Sequence, residues 1–348
     1  EVYYNMLLFS HRLLLGLNGN VETLKGAALG EKNESAAAFA FYLQDTWNVG
    51  SADKFYLALG GRLDLNPPSR AKDKFLVHMA PKFSLRWNPS QNLNFQASYG
   101  IGYKTPTLKE KYYVHNNSAH GYKVYGNPNL KPEISHGVNL NTSWQPQKWL
   151  ELGLSGYFNY LIDMIASRKI STTGSGRTAI SNYSYKNVDE AITAGADLSV
   201  KLALEMGLGL DLGYSWLIVA QEKTQDTKAQ FVDMWRKSKH QLKGSISYRL
   251  KVTETLFRLG FRWQAAQKYQ TGSSYLNNLK TQTSPDLLLF DLRMEQPLPG
   301  GFQLYGGIEN LLDNLHFAKG TETAKNSQKH FYSLHDGITF FIGASYSN

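Results

Sequence analysis

There is no cysteine in the 348 residues. A disulfide framework, a thiolate metal site and a cysteine nucleophile are therefore excluded. No apolar run approaches the ~20 residues of a membrane-spanning helix. Charged residues are sparse, at 19%, and no block of like charge stands out although the formal net charge is +9. The surplus is scattered along the chain, which reads as a mildly basic surface, and no nucleic-acid arm is expected. The metalloprotease signature HExxH, the nucleophile elbow GxSxG and a glycine-rich phosphate loop are all missing, so an enzyme is not expected. No repeat of solenoid or propeller length is present, and no linker divides the chain. Residue 1 is Glu and no signal peptide is visible, which predicts a mature protein or a fragment.

What the chain has is alternation, with 30 glycines and 13% aromatic residues. Phe55, Leu57, Leu59, Leu63 and Leu65 share one phase, with Arg62 and Asp64 in the other. Leu93, Phe95, Ala97, Tyr99, Ile101 and Tyr103 oppose Asn94, Gln96, Ser98 and two glycines. The same period recurs in segment after segment to Ile338, Phe340, Ile342, Ala344 and Tyr346, and it predicts strands with one apolar and one polar face. Counting gives about fourteen strands, or fifteen if residues 1–9 contribute one.

A soluble sandwich also alternates, so the connections decide. Tight turns are predicted near 49–52, 88–91, 145–148, 204–206, 250–253 and 297–301. Long polar loops are predicted near 18–34, 66–75, 104–132, 167–182, 221–238, 269–285 and 313–334. Short turns at one rim and long loops at the other define a transmembrane antiparallel β-barrel of the bacterial outer membrane. Trp47, Trp87, Trp144 and Trp149 lie beside short turns, where an interfacial girdle is expected. On this reading Arg62, Arg86, Arg249, Arg258 and Arg262 point inward, to pair with acids of a luminal domain or to line a solvent channel.

The longest loop is the most polar and least periodic stretch. It runs from Tyr103 to Glu133 and is expected to lack regular structure over roughly 30 residues, a length more often functional than filler. It is bracketed by Tyr103-Lys104-Thr105-Pro106 and by Asn127-Pro128-Asn129-Leu130-Lys131-Pro132-Glu133. These brackets resemble the paired boxes of TonB-dependent outer-membrane receptors. Phe41-Tyr42-Leu43-Gln44-Asp45-Thr46-Trp47, Gly60-Gly61-Arg62-Leu63-Asp64 and Gly307-Ile308-Glu309-Asn310-Leu311-Leu312-Asp313 extend the resemblance over most of the chain. The chain departs from it at Lys104 and Thr105, and in ending on Ser345-Tyr346-Ser347-Asn348.

The resemblance implies a 22-stranded barrel with a plug domain in its lumen. Residues 1–348 would be its C-terminal part, with about nine strands after the second bracket and with the plug and first strands elsewhere. A complete fourteen-stranded porin is the alternative. The implied partners are outer-membrane lipid, the plug and remaining strands, the TonB inner-membrane complex, and a haemophore or surface lipoprotein. Haem receptors of the family carry a histidine between the boxes, where His115 and His120 stand here beside Tyr112 and Tyr113. Imidazole and tyrosinate both ligate haem iron, and Lys109, Lys111 and Lys123 are expected to meet anionic groups. Tyr103, Pro106, Asn127, Pro128, Asn129 and Leu130 are the box residues singled out. No intrinsic cofactor is expected, haem being cargo; siderophores and cobalamin are the alternative ligands. His136 falls in the outward phase of its strand and is expected to pack, while His330 and His335 are weaker candidates.

Overall fold

The computed structural model describes the chain apart from residues 27–28, 30–32, 51–53, 72, 224–229, 234–237, 272–279, 315–336 and 348. The alternating segments are strands. They are β1 (Val2–Leu8), β2 (His11–Leu24), β3 (Glu34–Val49), β4 (Phe55–Asn66), β5 (Leu76–Ser90) and β6 (Leu93–Lys104). A short helix α1 (Leu108–Tyr112) and two small strands, β7 (Val114–Asn117) and β8 (Tyr122–Tyr125), follow. Next come β9 (Glu133–Gln147), β10 (Leu150–Thr173), β11 (Ile180–Ala203), β12 (Leu208–Lys223) and β13 (Gln230–Asp233). The chain continues through β14 (His240–Arg249), β15 (Leu256–Gln264), β16 (Lys268–Thr271), β17 (Lys280–Thr283), β18 (Leu287–Pro297), β19 (Phe302–Glu309) and β20 (Thr339–Tyr346).

Eighteen of these strands belong to one sheet, and β16 and β17 form a separate hairpin. Among the described residues, β1–β6, β9–β12, β14, β15 and β18–β20 are the fifteen strands longer than six residues. Nine of them follow the second bracket of the long loop, matching the sequence reading with residues 1–9 included.

The chain forms two compact units. The first comprises Glu1–Leu140, Tyr157–Ala194 and Val219–Asp233, and the second Asn141–Gly156, Gly195–Ile218 and Met234–Asn348. In the first, β1 through β6 pair in order as antiparallel neighbours, with β9 beside β6. In the second, β12, β14, β15, β18, β19 and β20 do the same. Sequential antiparallel neighbours joined by alternately short and long connections are an up-and-down arrangement.

Each unit turns its apolar phase outward. Val77, Met79, Leu140, Leu154, Phe340 and Ile342 are all more than half exposed. Leaving a Leu, Ile or Phe side chain in water rather than an apolar medium forgoes about 1.5–3 kcal/mol each, so so wide an apolar face requires lipid against it. In each unit the tight turns carry aromatic side chains. In the first unit Phe55 stacks on Trp87 and Trp87 on Phe95, at ring separations of 5.9 and 5.3 Å. In the second, Phe302 meets Tyr346 at 5.0 Å, with Trp144 and Trp149 exposed beside their turn. These are the girdle positions read from the tryptophans.

Several loop expectations change, those at 221–238 and 269–285 by the strands β13, β16 and β17. Strands β10 and β11 run to Thr173 and from Ile180, so the loop placed at 167–182 shrinks to residues 174–179. The predicted loop at 18–34 is likewise narrowed, because β2 continues to Leu24. The tip of the 313–334 loop, with His330, and His335 beyond it lie outside the described residues.

Candidate functional site

The segment between β6 and β9 is folded, contrary to the expectation of an irregular loop. Its first element follows from Thr107-Leu108-Lys109-Glu110. The Thr107 hydroxyl accepts from the Glu110 amide at 3.2 Å, and the Glu110 carboxylate accepts from the Thr107 amide at 2.8 Å. This reciprocal capping box satisfies two backbone donors that a helix start leaves open. Helix α1 then places Leu108 and Tyr112 in a small buried cluster with Leu29, flanked by Leu24, Ala36 and Tyr113.

A charged clamp closes over that cluster. The Tyr112 hydroxyl and the Lys111 ammonium both donate to the Asp73 carboxylate, the latter at 2.6 Å. The Arg70 guanidinium lies 3.8 Å above the Tyr112 ring and reaches Glu34 at 2.5 Å. The hydrogen bond to Glu34 raises the Arg70 pKa. Burial pulls Asp73 upward, but the hydrogen bonds from Lys111 and Tyr112 outweigh it and hold the carboxyl below its ordinary value. Burial and the Asp73 carboxylate together push the Tyr112 phenol far above its ordinary range. Two expectations are thereby corrected. Tyr112 is a buried, protonated clamp residue and not a tyrosinate facing cargo, and Lys111 is committed to Asp73 rather than free for an anion.

Beyond the clamp, β7 and β8 form a hairpin in register His115 to Val124 and Asn117 to Tyr122. A single helical turn at Ser118–His120 closes it, with Gly121 in the left-handed region at φ 78°. The hairpin is joined to the wall by parallel pairing of β8 with β11, from Tyr122 with Ser181 to Tyr125 with Ser184. His115 is exposed, stacked on Tyr113 at 6.3 Å and tilted against Tyr122 at 5.8 Å. His120 is exposed at the tip, its Nδ1 2.8 Å from the Asn117 side-chain oxygen. Lys109 is exposed on α1, and Lys123 is half-buried opposite Asn116. His136 packs on Tyr99, Nδ1 to hydroxyl 2.8 Å, in the role its phase suggested.

The second bracket is an anchor with a physical logic. The Asn127 side chain accepts from the Asn129 amide at 3.0 Å and donates to the Tyr185 carbonyl at 2.9 Å. Pro128 presets the turn between them, and Leu130 is buried. Asn187 on β11 accepts from the Lys131 amide and donates to the carbonyls of Lys131 and Asp163, at 2.9, 2.9 and 2.6 Å. Gly126 leaves room for α1: a Cβ there would sit 2.6 Å from the Tyr112 amide nitrogen. In the first bracket Tyr103 stacks on His78 at 3.8 Å, and Pro106 precedes the capping box. The box residues therefore hold the loop at its root, while His115, His120 and Lys109 are the sequence candidates exposed at its surface, and Tyr113 is half-buried against the clamp cluster. Asp73, Arg70 and Asn187 were not singled out from the sequence. Their partners lie 39, 42 and 56 positions away, and no local pattern marks them.

An outward apolar face, an aromatic girdle and a rooted surface loop define an outer-membrane barrel wall. The sequence matches the family described as TonB dependent receptor-like, beta-barrel, over residues 8–311, and the chain belongs to that family. Its place is the outer membrane of a Gram-negative bacterium. It is 26% identical over 215 residues to an iron-regulated outer membrane virulence protein of Vibrio cholerae, covering 59% of this chain and 32% of that protein. It is 28% identical over 263 residues to the vitamin B12 transporter BtuB of Photobacterium profundum, covering 75% and 38%. The fold is similar to a ferric enterobactin receptor from Pseudomonas aeruginosa in complex with enterobactin, with TM-score 0.75, 18% identity and coverage of 98% and 52%. The siderophore receptor PirA from Acinetobacter baumannii gives TM-score 0.74, 14% identity and 99% and 53%. The chain thus spans about a third of the length of these curated relatives and about half of these solved structures. Receptors of this kind hold no resident cofactor, and the chelate they bind is cargo.

Proposed function

We propose that this chain is the C-terminal barrel part of a receptor that captures a ferric chelate at loop 105–132 and imports it with energy drawn through TonB. The observation that carries the reading is the division of that loop into a clamped root and an exposed tip that holds His115 and His120. Such a division fixes where a ligand is met while leaving the meeting surface free to adapt. The iron-regulated and siderophore-receptor relatives support a ferric siderophore as cargo. Haem is the second reading, supported by the two exposed imidazoles between the brackets. Cobalamin is the third, supported by the similarity to BtuB.

The plug and remaining strands are the proposed structural partners. Within the first unit β1 pairs with β2, and within the second β20 pairs with β19. Unpaired strand edges are not stable in hydrocarbon, where each open backbone group costs several kcal/mol. A haemophore or surface lipoprotein partner belongs to the haem reading alone.

The test titrates the full receptor with ferric siderophores, haemin and cyanocobalamin, followed by uptake with and without TonB. Haem cargo predicts a Soret shift that His115→Ala or His120→Ala weakens at least tenfold in affinity. Siderophore cargo predicts tight binding that neither substitution moves. Failure to bind any of the three sinks the proposal.

A further inference from the structure

Strands β10 and β11 have 24 residues each. A barrel strand needs about 9–11 residues to cross a bilayer, so roughly half of this hairpin stands beyond the apolar band. It does so at the rim that carries the surface loop, since β8 pairs with β11 there. Residues 164–188 of the hairpin hold Arg168, Lys169, Arg177 and Lys186, and neither Asp nor Glu.

The two-residue period decides which of these cations face the lipid side. Asn159 bonds Thr193 across the hairpin at 3.2 Å, while Phe158, in the other phase, is exposed on the apolar face. Asn182 on β11 falls in the phase opposite Thr193, which is therefore the lipid side. Its amide donates to the hydroxyls of Ser171 and Thr173, at 2.9 and 2.8 Å, so both share that side. On β10 the phase has thus moved by one residue between Phe158 and Ser171. Asp163 lies between them with φ 57°, a left-handed residue of the kind that sits in a bulge. Ser167 and Lys169 fall on the lipid side with Ser171 and Thr173, and Lys186 falls there with Asn182. Arg168 falls on the opposite side.

Ser167, Lys169, Ser171, Thr173 and Lys186 are exposed. Neither ammonium meets a carboxylate among the described residues. The next acid in that phase of β11 is Glu190, on the membrane side of Lys186. The face is a row of hydroxyls with two ammonium groups, directly above an apolar wall. Ammonium groups bind phosphate oxygens by charge-assisted hydrogen bonds. Serine and threonine hydroxyls donate and accept, as sugar hydroxyls do. A protein partner would want large aromatic or apolar anchors at its centre, and this face offers none.

We propose that this face binds the phosphorylated sugar headgroup of a glycolipid in the outer leaflet. Lys169 and Lys186 meet its phosphates, the hydroxyl row meets its sugars, and its acyl chains lie against the wall below. The site is separate from loop 105–132, and the inference does not depend on which cargo that loop takes.

The experiment uses the full receptor, purified and stripped of lipid, with binding read by native mass spectrometry. The probes are bisphosphorylated lipid A, the same glycolipid with both phosphates removed, and phosphatidylglycerol. The Kd for lipid A is expected to rise at least fivefold in Lys169→Gln/Lys186→Gln and to stay within twofold in Lys169→Arg/Lys186→Arg. Lys169→Gln alone is expected to weaken binding at least threefold. Arg168→Gln removes the same charge from the other side of the strand and is expected to stay within twofold. The dephosphorylated glycolipid should bind wild type no better than lipid A binds the glutamine pair. Wild-type affinity for lipid A in a folded glutamine pair overturns the inference. Equal effects of Arg168→Gln and Lys169→Gln do so too, because they show diffuse charge and no site. Phosphatidylglycerol binding as tightly as lipid A, or displacement of lipid A by millimolar inorganic phosphate, overturns the assignment to a glycolipid. A glutamine pair that keeps lipid A and loses cargo gives the face to cargo instead, which also overturns it. Should the glutamine pair fail to fold, the comparison of Lys169→Gln with Arg168→Gln carries the test.

Discussion

The Lys104 ammonium lies 3.0 Å from the Glu133 carboxylate, joining the last residue of β6 to the first of β9 across the whole length of the surface loop. The same carboxylate oxygen accepts the Ile165 amide at 2.8 Å. One acidic side chain thus gathers three strands at the point where the loop leaves the wall.

Replacing Glu133 with Ala leaves the Ile165 amide without its partner, a loss of about 1–3 kcal/mol for a shielded donor. Glu133→Gln retains an acceptor and is expected to be milder. Lys104→Ala is expected to cost under about 1 kcal/mol, because half of that side chain is in solvent. Limited proteolysis within residues 105–132 ranks the three; equal sensitivity in all of them contradicts the assignment.

The Asp73 clamp makes the loop acid-sensitive. Asp73 titrates lower folded than unfolded, so its stabilisation is complete above the unfolded carboxylate value of about 3.9 and is lost as pH falls through the lower folded value. Hydrogen exchange of residues 108–113 should stay slow from neutral pH into the mildly acidic range and rise only below it. Asp73→Asn is expected to raise exchange at neutral pH, by about 1–3 kcal/mol of local stability, and to flatten the pH dependence.

Gly126→Ala places a methyl group against the backbone of Lys111 and Tyr112. Backbone cannot rotate away as a side chain can, so a cost of about 1–3 kcal/mol is expected. The helix should part from the second bracket, and cargo affinity should fall with it. Unchanged thermal unfolding and unchanged affinity would refute the packing argument.

Asn187→Asp separates hydrogen bonding from shape. The carboxylate still accepts from the Lys131 amide but cannot donate to the Lys131 and Asp163 carbonyls. Asn187→Asp is therefore expected to destabilise the bracket at least as much as Asn187→Ala, and more at neutral pH than at pH below its own titration. A milder effect of the aspartate would show that the two carbonyls do not depend on the amide.

How legible this was depended on range. The wall was legible because a two-residue period is local: Phe55 to Leu65 declares its faces without reference to any other strand. The root of the loop was half legible. Thr107-Leu108-Lys109-Glu110 is the capping-box pattern in plain form, yet it stands in a stretch otherwise without period. The clamp roles of Tyr112 and Lys111 are not legible locally, because their partner, Asp73, lies across a separate loop. The parallel docking of β8 on β11 has no signature in either segment, since each strand has only four residues in the pairing.

The division between clamp and tip also bears on how such a surface changes over generations. Every tether described lies outside residues 114–121 apart from the hairpin's own bonds and the Gly121 carbonyl's contact with the Ser181 amide. Substitutions at the tip leave the root's energetics untouched, so this patch is the part of the loop whose sequence can change at least cost to the wall beneath it.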